Sequence, residues 1–257
     1  MLIFQEYIFW RAILITKEFL EDVCFITQHD HARISLDLFL MISPDITQGL
    51  ETSEELKYAI RNHDCGWIEY DNVPKIDDSG KVYTFQNMKS SLQDELWMKS
   101  ITSSMIPYSS LLIAQHFKFL SSNSVSREDN NFVKICDSYI SKNYSQLLSD
   151  IDTALFEVQL DFLKFTDLLS LILCREREVG KNLIPSIKSL DGSVHEVSIQ
   201  KVSDSIYKFP PGFLKSKQNM IEIPYKMLPS ELILTPKKLK EEFRQSRTKY
   251  RRIGLSG

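Results

Sequence analysis

Apolar residues near the start of the chain follow two different spacings. Residues 12–28 are rich in β-branched and aromatic residues and contain a polar break at 21–22, a pattern that predicts two short strands joined as a hairpin. From residue 29 the apolar positions recur at helical spacing, and Pro44 stops the pattern. The chain is therefore expected to open with a hairpin that leads into a helix.

A capping-box signature predicts where the next helix begins. Thr52 is followed three residues later by Glu55, so we expect Thr52 to cap the helix and Glu55 to bond back to it. Gly66 is the predicted C-terminal stop. Residues 78–80 then form a predicted turn within an aromatic loop that packs onto the domain.

The middle of the chain is predicted to be almost entirely helical. Apolar residues keep helical spacing over 90–105 and 108–121, which are separated by Pro107. A long helical stretch covers about 126–178, with one break expected near 143–149. Most of one side of its second part is apolar and is expected to face the core.

After Gly180 the spacing changes to an alternation of apolar and polar residues. Residues 186–213 and 221–228 resemble exposed antiparallel strands. A short capped helix is expected at 235–246, followed by a last strand at 250–255. The chain contains no internal repeat and no low-complexity segment.

These patterns predict an α+β protein that is mainly α. The expected architecture is a helical bundle with an N-terminal β-hairpin and a smaller β-rich C-terminal region. We place a helical domain at 1–180, of which 1–11 is an extension, and the β-rich region, packed on it, at 181–257.

Composition and charge exclude several functional classes. The 257 residues are 43% hydrophobic and 25% charged, which is typical of a globular protein, and the net charge of −3 provides no general attraction for nucleic acid. Charged residues interrupt the apolar N-terminus, so no leader or membrane span is expected, and four scattered cysteines fit a reducing compartment. We therefore predict a cytoplasmic protein without a membrane partner. Sequence signatures of a nucleophile elbow, a P-loop and a dinucleotide-binding turn are missing.

The adjacent pair His63–Asp64 is the strongest candidate for chemistry. Imidazole nitrogens and carboxylate oxygens suit zinc, iron, manganese and related divalent cations. Such dipeptides also occur by chance, and His63 could simply cap the end of its helix, where the dipole favours imidazolium. The pair alone leaves both interpretations open.

Three more residues strengthen the metal hypothesis. Asp167 lies in a strongly apolar helical segment, where a carboxylate is costly unless it is paired, hydrogen-bonded or bound to a cation. His31 lies near the start of one helix and His116 within another. The alternatives are a buried Asp167 bonded to a backbone amide or an arginine, and a His116 that is a satisfied core residue.

The order His31, His63–Asp64, His116, Asp167 resembles that of the HD-superfamily metal-dependent phosphohydrolases. In that superfamily a first histidine, an HD pair and a late aspartate surround a divalent cation in a helical bundle. The resemblance implies that His31, His63, Asp64 and Asp167 match those positions. Many two-metal members have more histidines between the pair and the last aspartate, whereas this chain has only His116 there.

A closer resemblance covers roughly residues 12 to 255. The segments QHDHARIS (28–35), HDCGWIEYD (63–71), SLLIAQH (110–116) and DLLSLILC (167–174), with KFPPGF (208–213), resemble the bacterial proteins grouped as domain of unknown function 3891. No settled activity accompanies that family. This resemblance therefore supports the fold and the candidate site more than any particular reaction.

Together these observations predict a metal-dependent hydrolase of a phosphate ester. The expected metal ligands are His31, His63, Asp64, Asp167 and His116, around one or two ions of Mn, Fe or Zn. His116 and Asp64 are the expected catalytic residues, with His116 as a further ligand or a general acid. The alternative is a non-catalytic metal-binding or protein-interaction protein with the same fold.

Other residues near the pair allow two interpretations each. Trp67, Tyr70 and Tyr83 form an aromatic group that could be core packing or the wall of a pocket. Arg33 and Lys118 are candidate phosphate contacts. The basic segment 237–252 is expected to be a solvated face, with a phosphate-rich partner as the less favoured interpretation. His29 is expected to face solvent or to lie at the N-terminus of a helix, and His195 is expected to be a surface residue.

Overall fold

A β-hairpin opens the described part of the chain, as predicted. The structure, a computed structural model, describes residues 15–19, 22–77, 82–83, 88–122, 127–176, 184–232 and 235–257. Strand β1 (Ile15–Phe19) pairs with β2 (Asp22–Ile26) in antiparallel register. The predicted extension 1–11 and the predicted turn at 78–80 lie outside the described residues.

The middle of the chain is helical. The helices, in chain order, are α1 (Gln28–Met41), α2 (Pro44–Thr47), α3 (Glu54–Asn62), α4 (Ile68–Asp71), α5 (Ser90–Ser103), α6 (Pro107–Ser122), α7 (Arg127–Asp150) and α8 (Thr153–Arg175). Short 3₁₀ turns at Leu50–Thr52 and Cys65–Trp67 lie on either side of α3. Helix α9 (Pro236–Gln245) follows much later, near the C-terminus.

Side-chain caps fix where several helices begin. Thr27 Oγ1 accepts from the Asp30 amide at 3.0 Å and starts α1. Helix α9 starts in the same way at Thr235, with Pro236 in its first turn. Such caps satisfy amide donors that have no partner within the helix.

Two predicted boundaries were wrong by a few residues. The break in the long helical stretch lies at residues 151–152 and not at 143–149, because the side chain of Asp152 caps a new helix by accepting from the Leu155 amide at 3.1 Å. Helix α3 is capped by Ser53 and not by Thr52, whose hydroxyl instead donates to the Gly49 carbonyl. At the start of α3 two adjacent polar residues could have capped the helix, so the sequence left the choice between them open.

A six-stranded sheet joins the two ends of the chain. The remaining strands are β3 (Ile187–Lys188), β4 (Val194–His195), β5 (Gln200–Ser203), β6 (Ile206–Lys208), β7 (Gln218–Pro229) and β8 (Lys249–Ser256). The strand order is β1-β2-β7-β8-β6-β5, and β3 and β4 form a separate pair. Among the described strands, only β6 and β8 pair in parallel. The N-terminal hairpin thus pairs, through β2 and β7, with the C-terminal strands.

The described structure is therefore α+β with a helix-rich body, as predicted. Helix α1 packs against α8, α3 and β7, while α6 packs against α3, α5, α7 and α8. These contacts bury one continuous apolar core that extends from the helices into the sheet. Within the described residues, no helix has the length and apolar character that crossing a membrane requires.

Candidate metal centre

The His63–Asp64 pair lies at the turn that follows α3. His63 is the C-terminal cap residue of this helix, and Asp64 leads into the 3₁₀ turn Cys65–Trp67. His63 Nδ1 lies 2.8 Å from the Ile60 carbonyl oxygen. This ring nitrogen therefore caps the end of the helix, as the alternative to a metal role predicted. The other ring nitrogen, Nε2, faces the interior of the bundle.

Gly66 holds this turn against helix α5 and does not end α3 as a C-terminal stop. The Gly66 amide donates to Ser100 Oγ at 2.9 Å. A Cβ atom at Gly66 would lie 2.2 Å from the Leu96 carbonyl oxygen and 2.6 Å from the Ser100 nitrogen. Only glycine permits so close an approach of two backbones, and this approach positions the Asp64 turn.

Four of the predicted ligands converge on one point inside the bundle. His31 Nε2 lies 3.4 Å from Asp64 Oδ2, 3.0 Å from Asp167 Oδ1 and 3.2 Å from His63 Nε2. His63 Nε2 lies 3.5 Å from each of the same two carboxylate oxygens. His31, His63 and Asp167 each offer a ligand atom within 4.8 Å of the others, and all three side chains are buried.

These separations fit a shared cation. Ligands about 2.1 Å from a metal ion lie about 3.4 Å apart in a tetrahedral site and about 3.0 Å apart as neighbours in an octahedral one. The five distances that involve the Nε2 atoms of His31 and His63 span 3.0 to 3.5 Å. The donor set of two imidazoles and two carboxylates also suits a divalent transition metal.

The protons of the two histidines point away from this centre. His31 Nδ1 lies 2.5 Å from Ser170 Oγ, and Ser170 Oγ donates its own proton to the Asp167 carbonyl at 2.8 Å. Ser170 must therefore accept from His31 Nδ1, just as Ile60 accepts from His63 Nδ1. In the neutral rings both Nε2 lone pairs then face each other and two carboxylates, an arrangement that requires a cation or an added proton.

The buried charges of the metal-free cluster shift its titration. Burial alone lowers the pKa of His31, but hydrogen bonds with Asp167 and Asp64 outweigh it and raise the pKa to about 9. Burial raises the pKa of Asp167, yet the close contacts with His116, His31 and His63 outweigh it and hold the pKa well below its usual range. The cluster therefore retains a positive charge among its carboxylates even without a metal.

His116 adjoins the cluster through Asp167. Its Nε2 lies 3.2 Å from Asp167 Oδ2, but neither ring nitrogen forms a hydrogen bond of acceptable geometry, although the ring is fully buried. Burial lowers the pKa of His116, and the contact with Asp167 only partly opposes this. A neutral imidazole with an unsatisfied nitrogen fits the metal-ligand role better than that of a protonated acid.

The other predicted candidates lie outside the cluster. His29 is only partly buried, and His195 contacts Ser189 in the β-rich region. Arg33 lies 4.0 Å from Asp30, and Lys118 pairs with Asp137 at 2.5 Å. Neither basic residue lines the cavity at the cluster.

The cavity beside the cluster is small and contains residues that sequence reasoning did not identify. Its volume is about 30 Å³, and the carboxamide of Gln28 and the indole of Trp67 form part of its wall. Gln28 Oε1 and Trp67 Nε1 are buried and have no hydrogen-bond partner. Trp67 and Tyr70 pack edge to face, so the predicted aromatic group contributes both core packing and, through Trp67, a cavity wall.

Ser170 and Gln28 gave only weak signals in the sequence. Ser170 is a small polar residue in an apolar helix, three positions after Asp167, a spacing that puts both on one face. Gln28 is one polar residue in a polar segment, and only the first turn of α1 directs it to the cavity.

Comparison with known proteins identifies a family but no activity. Neither a curated protein nor a solved structure matches the chain. A family model described as "Protein of unknown function (DUF3891)" matches residues 14–230, which include every residue of the cluster, Gln28, Trp67 and Ser170. The chain therefore belongs to the DUF3891 family, as its sequence motifs predicted.

Proposed function

We propose that this protein is a divalent-metal-dependent phosphohydrolase of HD type that acts on a small phosphate ester in the cytoplasm. The observation that carries the proposal is the convergence of His31, His63, Asp64 and Asp167 with both Nε2 lone pairs directed at the carboxylates. The order of these residues along bundled helices, which resembles that of HD enzymes, supports it further. No one of the four would suggest this chemistry by itself.

The side chains of the cluster have complementary roles in this proposal. His31, His63, Asp64 and Asp167 hold one ion of Mn, Fe or Zn, and His116 is a fifth ligand or completes a second site. A bound divalent cation supplies Lewis acidity and lowers the pKa of coordinated water. Asp64 and the neutral His116 would accept a proton beside it.

The cavity limits how a phosphate ester is recognised. In the described part of the chain, the residues that line it include neither lysine nor arginine. Most of the attraction for the phosphoryl oxygens would therefore come from a bound cation, helped by the donor Trp67 Nε1. A volume of about 30 Å³ holds one or two water-sized groups, so the substrate reaches the metal only if the walls move apart.

The same small cavity favours a second candidate function. A closed site without a basic side chain could hold a metal ion that stabilises a non-catalytic binding protein. Both candidates require the metal, and they differ in whether the purified protein turns over phosphate esters.

Elemental analysis of the purified protein tests the metal centre. We expect a bound transition metal that is lost in His63→Ala and Asp167→Ala. Asp161→Ala is the matched control for Asp167, because Asp161 lies on the same helix but is exposed and paired with Lys164. Absence of metal from every preparation, with no gain in thermal stability on adding Mn²⁺, Fe²⁺ or Zn²⁺, would refute both candidates.

A screen of phosphate mono- and diesters then separates the two functions. We expect turnover by the metal-loaded protein that His63→Ala abolishes and Asp161→Ala retains. A metal-loaded protein that hydrolyses none of the esters would instead be the non-catalytic binding protein.

A further inference from the structure

A second cavity, larger than the first, lies where the helical body meets the sheet. Its volume is about 270 Å³, against about 30 Å³ at the metal centre. Strand β2, the first turn of α1, helix α4, strand β7 and helix α9 all contribute to its wall. None of the five predicted metal ligands lines it, so this cavity is a separate site.

The polar part of its wall contains two buried atoms without partners. Asp71 is only 1% exposed, and its Oδ2 accepts from the Gln28 amide at 2.7 Å. Its Oδ1 is buried and has no hydrogen-bond partner, and the same is true of His29 Nδ1 on the same wall. Buried polar atoms are nearly always paired, so two orphaned atoms on one cavity point to a ligand that pairs with them.

Another part of the wall is aromatic. Phe25 and Phe243 meet edge to face with ring centroids 5.6 Å apart, and Tyr225 lies beside them. Aromatic walls hold a flat ring by dispersion and quadrupole contacts and offer no partners to a cluster of waters. The shape and chemistry of this part favour a planar aromatic ligand.

The charges on the wall favour a neutral ligand. Lys226 donates to the Phe243 carbonyl at 2.6 Å and lies 4.4 Å from the centre of the Phe243 ring, so its ammonium already has protein partners. Asp30 in the wall would repel an anion, while Lys226 would repel a cation. The ligand that these charges favour is therefore a neutral ring with polar edges.

We propose that this cavity binds a neutral, amino-substituted heteroaromatic ring of nucleobase type, with the ring among Phe25, Tyr225 and Phe243 and the amino edge on Asp71 Oδ1. An amino group on the ring donates to Asp71 Oδ1, whose lone pairs accept a hydrogen bond in either protonation state of the carboxyl group. The volume of about 270 Å³ gives room for a bicyclic base of about ten non-hydrogen atoms.

Two residues connect the wall of this cavity directly to the metal centre. Asp71 holds the Gln28 amide in the first turn of α1, and the Gln28 side chain lines the metal cavity three residues before His31. The binding itself does not depend on a metal, because no metal ligand touches the second cavity.

Calorimetric titration with adenine and with purine, which lacks the amino group, tests the proposal. We expect adenine to bind one site per chain and purine to bind about tenfold more weakly, the loss typical of one hydrogen bond to a buried group. Asp71→Asn replaces an oxygen of the carboxyl by an amino donor and should weaken adenine binding about tenfold. Asp45→Asn changes an exposed aspartate remote from both cavities and should leave it unchanged.

A second variant keeps the proposal testable if Asp71→Asn fails to fold. Thr248 is exposed at the cavity rim, so Thr248→Trp should block entry without disturbing the core and should abolish adenine binding. Metal-free protein and the His63→Ala variant should bind adenine like the wild type, so failure of the proposed metal function leaves this result unaffected. Lack of saturable adenine binding at millimolar concentration, equal affinity for purine, or unchanged binding by Thr248→Trp would overturn the proposal.

Discussion

Ser170 should control the metal affinity of the cluster without touching the metal. Its hydroxyl donates to the Asp167 carbonyl and accepts from His31 Nδ1, which keeps the Nε2 lone pair of His31 directed at the carboxylates. In Ser170→Ala the Nδ1 proton has no acceptor in a fully buried position. The neutral ring that metal binding requires must then leave this donor unpaired or move its proton to Nε2, 3.0 Å from Asp167 Oδ1.

The size of the effect follows from these two choices. An unpaired buried donor costs about 1–3 kcal/mol. A proton on Nε2 has a good partner in Asp167 but must be displaced before a metal binds. Since about 1.4 kcal/mol is a factor of ten in affinity, Ser170→Ala should weaken metal binding about 10–100-fold, the range typical of lost partners of metal ligands.

Competition with a chelator of known affinity measures this loss, and chemical denaturation of the metal-free protein measures stability separately. Ser35→Ala is the matched control: its hydroxyl bonds Ser170 Oγ at 2.9 Å and the His31 carbonyl at 3.1 Å but no ring nitrogen. We expect the control to lose much less affinity than Ser170→Ala. A Ser170→Ala protein that binds metal within twofold of the wild type would show that the tautomer argument is wrong.

Three further changes have outcomes that the structure predicts. Gly66→Ala should lower the free energy of unfolding by about 1–3 kcal/mol or more in urea denaturation, because its Cβ would meet the backbone of α5 at 2.2 Å, whereas Gly254→Ala, with its nearest contact at 3.7 Å, should change little. Burial raises the pKa of Asp71 well above its usual value, so Asp71 binds its proton more tightly in the folded state, and stability falls as the pH rises from the unfolded pKa toward the folded one. Relative to the wild type, Asp71→Asn should therefore become progressively more stable as the pH rises above the unfolded pKa, and a pH-independent difference would contradict this. Asp152→Ala should cost ~1 kcal/mol of stability through loss of the α8 cap, and an unchanged denaturation midpoint would show that this cap contributes nothing.

Element types were predictable because most apolar residues follow the period of the structure they form. Helix α8 carries apolar residues on the face that it buries against α1, and its spacing is visible without any tertiary information. Helix ends were less predictable. Thr52 and Ser53 are adjacent possible caps, and the choice between them depends on where the preceding 3₁₀ turn ends.

The candidate metal site was predictable as a set of residues but not as a geometry. Asp167 was predicted as a ligand because a carboxylate in an apolar helix needs a partner. His63 and Asp64 were predicted because imidazole and carboxylate groups bind divalent cations. No spacing along the chain could show that His31 and His63, thirty-two residues apart, place their Nε2 atoms 3.2 Å from each other. That distance depends on how α1 and α3 pack.

The sequence by itself determined the helical body, the hairpin, the β-rich C-terminal region and the identity of the candidate ligands, because these follow from local periodicity and residue chemistry. Tertiary structure alone decided that β2 pairs with β7, so that the two ends of the chain share one sheet. It also decided that Ser170 orients His31 and that Asp71 lines a second cavity. Such contacts join residues distant in the chain, and they form only where the packing of buried surfaces brings their elements together.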